Sequence, residues 1–125
     1  MKTRTFLLLM SLCWLARPMT AAPTDVSIVQ LIANPKAYDG IHVRVIGFLR
    51  IEFEGNGLYL HEDDFKHGIA KNGLWVDVSD DMIGRRAQLD KKYVLIEGTF
   101  DAKMTGHMGL WSGSIQKITR CQAWR

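Results

Sequence analysis

The most constraining feature of this chain is a run of alternating apolar and polar residues with a glycine in its middle. Ile41, Val43, Val45, Leu49, Ile51 and Phe53 share one face of an extended backbone. His42, Arg44, Arg50 and Glu52 occupy the other, with Ile46 and Phe48 among them. That second face is apolar in its middle and polar at its ends. A strand that curls, covered on both sides for part of its length, produces this pattern. Gly47 sits where such a strand needs a bend or bulge.

Four further strands follow from the same period. Glu54-Gly55-Asn56-Gly57 is a hairpin turn, since Asn-Gly tolerates positive φ, and Leu58 to His61 is the returning strand. Leu74, Val76 and Val78 alternate with Trp75 and Asp77 in a third strand. Tyr93 to Ala102 is a fourth, with Gly98 inside it, and Leu110 to Thr119 a fifth, with Gly113 inside it. The polar stretch from His61 to Asn72 reads as a loop, alone or with a helical turn in it, and Ser79 to Gln88 as a short helical or irregular connection. Ahead of the strands, Ser27 to Ala33 forms a short helix capped by Thr24 or Asp25 and ended by Asn34-Pro35. Glycines inside strands let them turn a barrel corner, so a small closed barrel fits better than an open sheet.

The run Tyr38-Asp39-Gly40-Ile41-His42-Val43-Arg44-Val45-Ile46-Gly47 resembles the opening of many bacterial OB-fold domains. The runs Tyr93 to Phe100 and Gly113 to Ile118 resemble the closing hairpin of that architecture. The expected fold class is therefore all-β with a short N-terminal helix, a five-stranded OB-fold-like barrel over residues 23–125. In layout the chain is similar to small periplasmic OB-fold proteins. The resemblance is carried by bends and core positions; it implies binding in general, of oligonucleotides, oligosaccharides, peptides or proteins.

Residues 1–22 read as a signal peptide. Lys2 and Arg4 precede an apolar stretch from Phe6 to Leu15, and Thr20-Ala21-Ala22 offers small residues for cleavage. The stretch is too short for a membrane anchor. Leu12, where a lipobox needs a small residue, argues against lipidation of Cys13. The whole chain carries a formal charge of +3. Removing Lys2, Arg4 and Arg17 from its 16 Lys and Arg leaves a balance with the 13 Asp and Glu. A neutral barrel has no long-range field to attract nucleic acid. Cys121 is then the sole cysteine, a free thiol or, alternatively, half of an intermolecular bridge.

Two sets of candidate residues follow. Tyr59, Trp75, Tyr93 and Trp111 fall out of phase with the clearest inward positions, and aromatic rings on an outer barrel face stack on bases or sugars; alternatively, the helix and loops cover them. His107, on the loop before the last strand, and Arg44 complete this ligand-binding set, with Glu54 and Asn56 as spatial partners of His107 that sequence alone does not derive. The second set is His61, Asp63, Asp64 and His67, whose side chains suit a divalent metal, although their spacing matches no specific zinc motif; alternatively, this is a solvated loop whose acids precede a helical turn, with Lys66 and His67 near its end. No nucleophile elbow, phosphate loop or Cys-His motif is present. The resulting reading is a non-enzymatic binding module of the cell envelope, periplasmic or secreted, needing no cofactor and taking a protein or an envelope polymer. The alternatives are a metal-assisted hydrolase built on His61, Asp63, Asp64 and His67, and single-stranded nucleic-acid binding.

Overall fold

The computed structural model describes residues 22–125. The expected signal peptide, but for Ala22, lies outside them. The elements in chain order are β1 (Thr24–Asp25), α1 (Ile28–Ala33), α2 (Pro35–Tyr38), β2 (His42–Arg50), β3 (Gly57–Tyr59), α3 (Glu62–Lys66), β4 (Gly73–Val76), α4 (Asp80–Gly84), α5 (Arg86–Leu89), β5 (Lys92–Asp101) and β6 (Ser114–Ala123).

The strands lie in the order β1-β2-β3-β4-β6-β5, and β5 pairs again with β2 from His42↔Thr99 to Leu49↔Lys92. That second pairing closes β2 to β6 into a five-stranded barrel. Its pairs are antiparallel except β4 with β6, which run parallel through Trp75↔Ser114 and Val76↔Ile115. The OB-fold-like barrel is thus the architecture of the chain. Among the described residues no helix is long and apolar enough to cross a membrane.

The alternation in β2 fills the barrel. Val43, Val45, Leu49 and Ile51 are buried with Leu58, Leu74, Val76, Val94, Ile96, Phe100 and Ile115 from the other strands. Ile28 and Leu31 of α1, Met82 of α4 and Leu89 of α5 join the same core. Each such side chain contributes about 1.5–3 kcal/mol when fully removed from water. The second face of β2 is covered toward its C-terminal end, while Ile46 stays 40% exposed. Phe48 meets Phe65 of α3 at 6.3 Å and Tyr93 at 5.5 Å, and the Arg50 guanidinium lies 4.1 Å above the Phe65 ring. Arg50 is held there by Asp90 and Glu52, both at 3.1 Å.

Gly47 serves close approach rather than a bulge. The β2–β5 ladder runs unbroken through Gly47↔Val94. A Cβ at this position would lie 2.7 Å from Ile28 Cδ1 and 2.8 Å from both Leu58 Cγ and the Tyr59 carbonyl oxygen. The one-hydrogen side chain lets α1 and β3 sit directly against β2. The register irregularity falls instead between Glu97 and Thr99 of β5.

Three local expectations are corrected. β2 ends at Arg50, and Phe53 is 91% exposed rather than inward-facing, because the chain turns at Glu52–Gly55 and leaves the alternation. β6 spans Ser114–Ala123, four residues later than expected. The Trp111 amide donates to the Thr105 carbonyl at 3.1 Å, which folds Leu110 and Trp111 into the preceding loop. The cap of α1 is Ser27: its Oγ accepts from the Gln30 amide and the Gln30 side chain accepts from the Ser27 amide. Thr24 and Asp25 are drawn into β1 beside Val43 and Arg44.

Candidate functional site

Two connections approach each other at one end of the barrel, 51–56 between β2 and β3, and 102–113 between β5 and β6. The first is anchored at its base by Asp90, whose Oδ1 accepts from the Ile51 amide at 2.8 Å and from Arg50 Nε at 3.1 Å. The Glu52 amide donates to Asn56 Oδ1 at 3.0 Å and tightens the turn. Glu54 takes the left-handed conformation at φ 52°, a position that the hairpin expectation assigned to Asn-Gly. The second connection begins with Asp101, whose Oδ1 accepts from the Lys103 and Met104 amides at 2.8 and 3.1 Å. It is tied down further along by Lys71 Nζ donating to the Gly109 carbonyl and Ser112 Oγ donating to the Lys71 carbonyl.

Trp111 is the internal anchor of that second loop. It is only 4% exposed and meets Trp75 of β4 edge to face, with centroids 5.0 Å apart and planes at 71°. Gly106, at φ 74°, passes close to the Trp75 ring; a Cβ there would sit 2.6 Å from Trp75 Cε3. Between the loops lies an open cleft of about 400 Å³ lined by Glu54, Asn56, Trp75, Met104, Gly106 and His107. His107 Nε2 stands 3.3 Å from Glu54 Oε2, so an imidazole and a carboxylate bridge the two loops. Phe53 and Met108, 91% and 81% exposed, stand on the same two loops with Leu110, giving them an apolar surface.

Of the six residues expected to bind ligand, Trp75 and His107 line this cleft and Trp111 supports Trp75. Tyr59 is buried, edge to face with Phe65 at 5.6 Å, and burial pushes its hydroxyl pKa up. The Trp111 indole N–H has no hydrogen-bond partner, the only such buried side-chain atom among the described residues. Tyr93 and Arg44 lie elsewhere. Tyr93 packs on Phe48, and its hydroxyl accepts from the Glu62 amide at 3.2 Å. Arg44 donates to Glu97 at 2.7 Å and to Asp25 at 3.2 Å. Glu54 and Asn56 do face the cleft, and Glu54 is the partner of His107. Met104 carries no periodic signal, being a lone apolar residue in a loop, and the alternation that points Phe53 inward ends before it, at Arg50.

The residues expected to hold metal do not gather into a ligand set. Asp64 is buried, and its carboxylate accepts from the His61 amide at 3.1 Å and from Asn72 Nδ2 at 2.9 Å, fastening α3 to the turn at Ala70–Asn72. His61, Asp63 and His67 are exposed. Among the described residues no three His, Cys, Asp or Glu side chains are grouped to hold a metal ion. No protein-family profile matches the chain, and no curated protein is similar to it.

Proposed function

We propose that this protein is a non-enzymatic binding module, exported to the cell envelope, that takes a protein or an envelope polymer in the cleft between its 51–56 and 102–113 loops. One observation carries this reading: the part-buried Trp75 ring, supported from within by Trp111, borders a cleft whose polar groups are Glu54, Asn56 and His107 and whose loops expose Phe53 and Met108. An aromatic surface with a few convergent polar groups is the usual composition of a binding site. The two loops correspond to those that OB-folds use for ligands. Exposed large apolar residues gathered on two adjacent loops mark an interaction surface.

The alternatives have less support. The Asp64 carboxylate is engaged by two hydrogen bonds, which leaves a hydrolase built on the His61–His67 segment short of a ligand. Arg44, Arg50, Arg85, Arg86 and Arg120 are each paired with a carboxylate, which weighs against a phosphate-tracking surface.

The test is capture from solubilised cell envelope by the C-terminally tagged full chain and its Trp75→Ala variant, with N-terminal sequencing of the recovered bait. A partner held by the parent and lost by the folded variant, on bait beginning near Pro23, supports the reading. Equal capture by both overturns the assignment of the cleft. Bait retaining Met1 overturns export with cleavage.

A further inference from the structure

Among the described residues Glu54 is the one acidic side chain lining the cleft. The neighbouring carboxylates are engaged: Glu52 pairs with Arg50, Asp90 with Arg50 and Arg86, and Asp101 accepts from two backbone amides. Glu54 has only His107 beside it, with the imidazole Nε2 3.3 Å from its Oε2 and no Lys or Arg partner. The same cleft contains the Trp75 indole, the side chain that best attracts a cation over its ring. A carboxylate without a permanent counter-ion beside an indole is complementary to an ammonium or guanidinium group.

The surrounding residues narrow the source of that cation. Met104 lines the cleft, and Phe53, Met108 and Leu110 are exposed on the loops beside it. Methionines repack readily around apolar partners. Apolar loops favour the neighbours of a side chain in a peptide over the hydroxyls of a glycan. Resting on the binding reading above, we propose that the cleft recognises a protein partner through a Lys or Arg side chain flanked by apolar residues.

The experiment follows the Trp75 indole N–H in nitrogen-15 spectra of protein purified after expression of the full chain. The probes are acetyl-Leu-Lys-Leu-amide, its Nε-acetyllysine twin and chitotriose. The lysine peptide shifts the Trp75 and Gly106 signals, and its twin binds about five-fold more weakly, as an exposed ion pair and cation–π contact imply. Glu54→Gln removes the preference for lysine. His107→Gln keeps it. An unchanged Trp111 indole signal shows that each variant is folded. Equal binding of the two peptides overturns cation recognition and leaves the cleft assignment standing. So does a response to chitotriose alone. No response to any probe overturns the cation proposal, and capture by Trp75→Ala then judges the cleft separately.

Discussion

The rings of Trp75 and Trp111 meet edge to face at 5.0 Å, and only Trp75 reaches the cleft. The two therefore have separable roles. Trp111→Ala empties a buried volume and is expected to cost about 3–5 kcal/mol of stability. Trp75→Ala is expected to cost about 1 kcal/mol, the central value for point substitutions, while abolishing capture. Urea denaturation of both variants beside a capture assay checks the split; equal destabilisation would contradict it.

Gly106→Ala should disable the cleft from the opposite side. The new methyl would lie 2.6 Å from Trp75 Cε3, on a backbone at φ 74° that an alanine adopts only with strain. A loss of about 1–3 kcal/mol is expected, together with a shifted Trp75 indole signal. A variant with parental stability and spectrum would show that the loop does not press on the ring.

Glu97 ties three strands together and sets part of the acid stability. Its carboxylate accepts from Arg44 Nε at 2.7 Å and Arg120 Nη1 at 3.1 Å. The hydrogen bond from Arg44, foremost, holds its pKa below the ordinary glutamate value of 4.5. A lowered folded-state pKa adds stability that is complete above the ordinary value and is lost as pH falls through the lowered one. Glu97→Gln should therefore lower stability at neutral pH and flatten the decline below about pH 4.5. Unfolding free energy measured across that range checks both effects. An unaltered acid limb would remove Glu97 from the explanation.

Cys121 should behave as a protected thiol. Burial pushes its pKa up to about 11, so little thiolate exists at pH 8 and reagents must wait for the fold to open. Labelling with dithionitrobenzoate is expected to be slow in buffer and rapid in denaturant. Rapid labelling of native protein, or a disulfide-linked dimer on a non-reducing gel, would contradict this placement.

Where neighbouring residues decide the structure, the sequence was readable. The alternation of Val43, Val45 and Leu49 against Val94, Ile96 and Phe100 reports directly on the β2–β5 ladder. Ser27 and Gln30 spell a capping box, yet Thr24 and Asp25 are equally good cap residues locally, and pairing with β2 removes them from competition. The start of β6 was misplaced because Leu110 and Trp111 look like strand residues until the loop folds back to bury the indole. At the candidate cleft, Trp75 and His107 stand out in the sequence by residue type and position. The Glu54–His107 contact spans two loops far apart in sequence, and no local pattern encodes it. In sequence the Asp64 carboxylate fits a solvated loop and a metal ligand alike, and only the fold shows it capping α3 and latching it to Asn72.

The most direct test of the central claim, that the two loops form the ligand-contacting surface, is photo-crosslinking in living cells. Benzoylphenylalanine is placed singly at Phe53, Met108 and Ile83, the last an exposed residue of α4. The expected result is one common adduct from positions 53 and 108 and none from position 83. An adduct from position 83 with neither loop position reacting would place the partner on another face and contradict the account.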